Sequence, residues 1–99
     1  MPGKPLSQDA IVEALKMLPG WDYDQNSLVK QFSFRDFREA VAFIVRLAFE
    51  AEAADHHPEL ISVYNRVTIA LNTHDAGNRV TQKDVALAAA IERIAGGTK

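Results

Sequence analysis

The sequence predicts an α+β domain: a four-stranded antiparallel sheet with three helices packed on one face, in the order α-β-β-α-β-β-α. Three observations predict it. Two pairs of short runs alternate apolar and polar residues, and each pair is joined by a polar dipeptide. Three longer stretches around them repeat apolar residues at helical spacing. Those helical stretches carry start or stop signals, so the boundaries fall between the patterns rather than across them.

Ser7 is the expected N-cap of the first helix, with Asp9 in the first turn, where the helix dipole favours negative charge. Ile11, Ala14, Leu15 and Leu18 give the helical repeat, and Pro19-Gly20 stops it. Trp21 to Asp24 reads as a short strand and Gln25-Asn26 as its turn. Alternation resumes from Ser27 to Phe34, with Leu28, Phe32 and Phe34 on one face. Asp36 opens the longest helix and Glu39 completes a capping box.

Phe37, Val41, Ile44, Ala48 and Ala51 mark one expected buried stripe of that helix, and Ala40, Phe43, Leu47 and Ala54 a second beside it. An apolar arc that wide exceeds what one sheet face needs. It predicts either burial against another subunit or cover from the first and third helices within the chain. Pro58 ends the helical region, because the residue before a proline is pushed out of the helical basin. Leu60 to Tyr64 and Val67 to Asn72 then form a second hairpin about a tight Asn65-Arg66 connection. Asp75 to Asn78 is a loop. Thr81 and Asp84 form the capping box of the last helix, whose Val85, Ala88, Ile91 and Ala95 face inward until Gly96-Gly97.

The bulk numbers bound the function. Its 99 residues make one domain spanning 1–99, with residues 1–6 expected as a loose leader. At 47% hydrophobic and 24% charged residues the chain is an ordinary globular protein rather than a disordered one. A formal charge of −2 supplies no basic footprint, so no direct nucleic-acid partner is expected. The absence of cysteine excludes disulfides, a thiol nucleophile and Cys-ligated zinc. No run approaches a membrane span and Met1 to Pro5 has no apolar core of a signal peptide, so a cytoplasmic protein without a membrane partner is expected.

The chemistry concentrates in Glu52-Ala-Ala-Asp55-His56-His57-Pro58, joined by His74 at the end of the following hairpin. Histidine serves both metal and proton chemistry near neutral pH. Three readings stay open on spacing alone: a three-histidine zinc site, structural histidines, or acid–base groups flanking an organic substrate. Adjacent histidines diverge on a regular helix or strand, so only a loop lets both face one ion. No Gly-rich phosphate loop, nucleophile elbow or H-E-x-x-H pair competes.

Glu52-x3-His56-His57-Pro58-x5-Tyr64-x9-His74-x9-Asp84 resembles the signature of the pterin-4a-carbinolamine dehydratases, and the resemblance extends over nearly the whole chain. It implies dehydration of a 4a-hydroxytetrahydropterin to the quinonoid dihydropterin, in recycling the pterin of aromatic amino acid hydroxylases. It implies no metal and no organic cofactor, a small-molecule pterin as partner, and assembly as a homodimer or homotetramer. By the same resemblance His56, His57 and His74 are the catalytic set, with His56 and His74 the principal acid–base pair. Glu52, Asp55, Asn72, Thr73 and Asp84 are the substrate-binding candidates, with Asp84 also readable as a helix cap alone. Pro58 and Tyr64 are expected to be structural. The sequence departs from the pattern twice: the Asp75–Val80 loop is one residue longer, and Asn72 stands where Ser is common. The competing functions are a non-catalytic interaction or coactivator-like module on the same scaffold, and a small zinc hydrolase.

Overall fold

The computed structural model describes residues 4–97. Its elements are α1 (Gln8–Leu15), β1 (Asp22–Asp24), β2 (Ser27–Ser33), α2 (Phe37–Ala54), β3 (Glu59–Val63), β4 (Arg66–Leu71), a 3-10 turn (His74–Ala76) and α3 (Gln82–Gly97). The strands form one antiparallel sheet in the order β1-β2-β4-β3. This is the α+β fold the patterns predict. Of the expected leader, residues 1–3 lie outside the described residues. Leu6 packs on the core and donates its N–H to Val80 O at 2.9 Å.

The register explains why the helices share one face. Leu28 pairs with Leu71, Lys30 with Ile69 and Phe32 with Val67, which puts the apolar members of both central strands on the same side. Leu28, Phe32, Val67, Ile69 and Leu71 are all buried there. Phe43 of α2 completes the packing, its ring centroid 5.1 Å from that of Phe32 and 4.9 Å from that of Phe34. Rings at such spacings add roughly 0.5–1.5 kcal/mol per pair beyond their burial. From α3, Leu87, Ala88 and Ile91 close the core, while Val85 and Ala95 are only half-buried.

Both hairpins turn on two residues. Gln25 and Asn26 both have positive φ, at 49° and 66°, the backbone a type I′ turn requires. The second turn is Tyr64-Asn65 rather than Asn65-Arg66, because Val63 pairs with Arg66. α1 ends at Leu15, short of Pro19. Met17 N–H to Ala14 O and Leu18 N–H to Leu15 O then tighten the chain into turns that still bury Leu18.

α2 corrects one expectation. Its buried residues are Ala40, Phe43, Leu47 and Ala51, spaced by three and four along one line. From the stripe expected beside it, Phe37, Val41 and Ala48 are exposed and Ile44 is half-buried. Ala54, at the last turn, is exposed as well. One sheet accepts about one line of side chains, and residues offset by roughly 100° around the helix miss it. Neither α1 nor α3 covers the remainder: Phe37, Val41, Val45 and Phe49 form an exposed row, with Phe49 73% accessible. β3, at the sheet edge, has no buried residue.

Candidate active site

The site is assembled from the end of α2, the end of β4 and the start of α3. α2 stops at Asp55, whose φ of 50° and ψ of 46° are left-handed. His56 N–H then returns to Ala51 O at 3.0 Å and Asp55 N–H to Glu52 O at 3.1 Å, the Schellman pattern of helix ends. This reversal makes the adjacent histidines part company. His56 turns inward and is buried, whereas His57 stays exposed.

Beneath His56 lies a fully buried carboxylate. Asp84 Oδ1 lies 2.5 Å from His56 Nε2, and Oδ2 accepts from Thr73 Oγ1 at 2.9 Å and Thr81 N–H at 2.8 Å. With the Thr73 hydroxyl proton spent on Asp84, the 2.7 Å contact between the two threonine hydroxyls is donated by Thr81. Thr81 Oγ1 in turn accepts Lys83 N–H, so the α3 cap and the His56 support are one network. Asp84 therefore supports the histidine as well as capping the helix.

The same network assigns the tautomer. Asp84 holds Nε2, and His56 Nδ1 has no partner. Among the described residues no buried side-chain nitrogen or oxygen lacks one, so Nδ1 is the edge open to solvent.

The other two histidines have lighter supports. His57 Nε2 meets Glu52 Oε1 at 2.9 Å in an exposed pair. His74 opens the 3-10 turn, its Nδ1 3.2 Å from Asn78 Oδ1. The Asp75–Val80 loop is closed by its own backbone. Thr73 N–H donates to Arg79 O at 2.8 Å and Asn78 N–H to Thr73 O at 3.1 Å, closing the loop so that Asn78, at φ 59°, reaches His74. An asparagine tolerates that left-handed backbone better than most residues.

Asp55, His56, His57, Asn72, Thr73 and His74 line one polar cleft of about 250 Å³. Asn72 is held by its own amide donating to Ser27 Oγ at 2.9 Å. Of the remaining candidates, Glu52 stands behind His57 and Asp84 behind His56. Two lining residues escaped the sequence reading, Asp75 and Lys83. Lys83 left a signal: a cation in the first turn of a helix opposes the helix dipole, so its presence there calls for another use. A larger hollow of about 490 Å³ lies beside the α2 N-terminus and a slightly smaller one of about 230 Å³ on the open sheet face, but no histidine lines either. Among the described residues no group of three His, Asp or Glu side chains converges as metal ligands. The cleft presents three imidazoles and a hydrogen-bonding wall, an arrangement fitted to proton transfer.

The profile of the family described as "Pterin 4 alpha carbinolamine dehydratase" matches residues 4–94. A provisionally named pterin-4-alpha-carbinolamine dehydratase of Opitutus terrae is 53% identical over 89 residues, covering 90% of this chain and 92% of its own. Its counterpart from Chloroflexus aurantiacus is 50% identical over 91 residues, covering 92% of this chain and 97% of its own. Among solved structures, a transcriptional coactivator/pterin dehydratase from Brucella melitensis superposes with a TM-score of 0.89 at 38% identity, covering 94% of this chain and all of its own. A pterin dehydratase-like protein identified as a RuBisCO assembly factor in the alpha-carboxysome superposes with a TM-score of 0.63 at 26% identity. It covers 77% of this chain and 87% of its own. With the profile matching residues 4–94 and a relative 53% identical over 90% of the chain, the chain belongs to the pterin-4-alpha-carbinolamine dehydratase family.

Proposed function

We propose that the protein dehydrates 4a-hydroxytetrahydropterins to the quinonoid dihydropterin by histidine acid–base catalysis. The observation that carries the reading is the convergence of His56, His57 and His74 on one cleft, with His56 seated on the buried Asp84. In the reaction the C4a–O bond breaks as a proton reaches the departing hydroxyl, which leaves as water. A proton leaves N5, and the nitrogen electrons form the C4a–N5 double bond. One group must donate and another accept, and each such transfer is worth on the order of 10² to 10⁴ in rate.

His56 Nδ1 and the His74 ring are the proposed pair, with Asp84 holding the one and Asn78 the other. His57, braced by Glu52, positions the pterin at the cleft mouth, where Asp55 and Asn72 supply hydrogen-bonding groups and Thr73 lines the wall. No metal or organic cofactor is needed in this scheme. A cytoplasmic setting belongs to the same proposal and is checked by cell fractionation.

The test follows the decay of a 4a-hydroxytetrahydropterin, formed in situ by an aromatic amino acid hydroxylase, in the ultraviolet. Native protein is expected to accelerate decay over the unaided rate, with or without chelator. His56→Ala and His74→Ala are each expected to lose ten-fold or more. A native trace that lies on the protein-free trace overturns the reading. Loss of activity to chelator would instead revive a zinc site. One observation favours a second reading, a protein-interaction module: the uncovered apolar row of α2 is a surface of the kind partners use.

A further inference from the structure

The exposed ring of His74 is held at one nitrogen. Its Nδ1 lies 3.2 Å from Asn78 Oδ1, and among the described residues Nε2 takes no hydrogen bond. An amide oxygen only accepts, so Nδ1 carries the proton of that contact. A neutral imidazole has one ring proton, which leaves the lone pair on Nε2. His74 lines the cleft and Asn78 does not, so the edge that Asn78 holds is the one spared from the substrate. His56 is held the other way round, at Nε2 and by a carboxylate. The two rings therefore offer different nitrogens to one cleft, one backed by a charge and the other by an amide dipole.

Resting on the dehydratase reading, we infer that Asn78 is a positioning residue for the reaction: it fixes the ring and the tautomer of His74, so that Nε2 is the nitrogen that exchanges a proton with the pterin. The assignment holds for either direction of transfer. A proton that Nε2 receives or gives up leaves the proton on Nδ1, and its bond to Asn78, in place. Without that bond an exposed ring turns freely and its one proton can sit on either nitrogen.

The backbone of the loop is built to deliver this side chain. Gly77 N–H donates to His74 O at 3.1 Å and Asn78 N–H to Thr73 O at 3.1 Å, so position 78 is tied to the residues that carry the histidine. Gly77 and Asn78 both stand in the left-handed region, at φ 74° and 59°. Position 78 thus asks for a residue that accepts that backbone and places an acceptor one short side chain away. Asparagine meets both demands, whereas a longer or β-branched residue fails the first.

The test uses Asn78→Gly and Asn78→Asp, with thermal melts to verify folding. Glycine keeps the left-handed backbone and deletes the acceptor. Asn78 does not line the cleft, so Asn78→Gly is expected to lower kcat three-fold or more on the 4a-hydroxytetrahydropterin adduct, with KM within two-fold of native. Asn78→Asp keeps an acceptor but sets a carboxylate against Nδ1, which favours the doubly protonated ring. Its rate at its own optimum should stay within three-fold of native, while one limb of the kcat/KM profile moves to higher pH by roughly half a unit or more. Asp55, His56, His57, Asp75 and Lys83 also carry or exchange charge around the cleft, and they are the same in all three proteins.

The tautomer is read directly from two-bond proton–nitrogen correlations of the nitrogen-15-labelled protein, at a pH where the ring is neutral. Native His74 is expected to carry its proton on Nδ1, and the Asn78→Gly ring to lose that preference. A native ring protonated on Nε2, a kcat loss below three-fold in Asn78→Gly, or an Asn78→Asp profile that does not move overturns the assignment and leaves the dehydratase reading intact. Native protein that fails to accelerate decay of the adduct overturns both.

Discussion

Asp84 carries two demands on one buried carboxylate. Oδ2 closes the α3 capping box with Thr81 and Oδ1 seats His56. Asp84→Asn keeps the shape but places an NH2 either against His56 Nε2, which must then accept and switch tautomer, or against the Thr81 amide, where the contact fails. The expected outcome is dehydration slowed by ten-fold or more, together with a loss of about 1–3 kcal/mol in urea unfolding from the orphaned buried group. Thr73→Val should show the stability loss with a smaller kinetic effect, since the His56 contact itself survives.

Asp55 supports a different prediction. A non-glycine residue in the left-handed region costs about 1–2 kcal/mol, less for Asp because its short side chain bonds locally. Asp55→Ala should therefore destabilise by roughly 1 kcal/mol while Asp55→Gly should not, as chemical denaturation would record. The capping roles were legible in the sequence because a capping box is local, three residues wide. The seating of His56 on Asp84 was not, since the partners are 28 residues apart and meet only when α2 and α3 dock. The parting of His56 from His57 was equally hidden, because it follows from the backbone sign at Asp55 rather than from the histidine spacing.

At the scale of elements, the strands were read almost to the residue. A period-two pattern leaves no choice of face once one side is apolar, and Gln25-Asn26 suits the turn between them. Helix α2 was harder. Its apolar arc is broader than its contact with the sheet, so side-chain character could not say which line of residues would be buried. α3 is tied to β2 through charge as well as packing. Glu92 Oε2 accepts from Trp21 Nε1 at 2.8 Å and from Lys30 Nζ at 2.6 Å, and Lys30 also donates to Pro19 O at 2.8 Å.

Gly20 permits this arrangement. At φ 84° it takes a backbone other residues resist, and a Cβ there would sit 2.9 Å from Lys30 Cε. Glu92→Ala leaves the buried indole N–H and a half-buried ammonium without their acceptor. A loss of about 1–3 kcal/mol is expected, measured by denaturant titration.

At the scale of the whole molecule, the exposed row Phe37, Val41, Val45 and Phe49 is the feature that a monomer leaves unexplained. The breadth of this helix led the sequence reading to expect another subunit, and the family resemblance implied a homodimer or homotetramer; an apolar row that no element among the described residues covers keeps that expectation open. Light scattering coupled to gel filtration is expected to give a multiple of the chain mass, and Phe49→Glu to reduce it, since a carboxylate buried in such an interface would lack a partner. A native protein eluting at the chain mass would remove the oligomer and leave the row for a different partner.

The network around Asp84 also has an experimental use. His56 is fixed to the same carboxylate that accepts the Thr81 amide, so any ligand that steadies the His56 ring makes the start of α3 harder to open. Local opening governs how fast a protected amide trades its proton for deuterium. The Thr81 amide is thus a built-in occupancy gauge: its exchange should slow as a pterin fills the cleft, even for a ligand that undergoes no reaction. Binding can then be measured with stable pterin analogues, independently of the short-lived substrate.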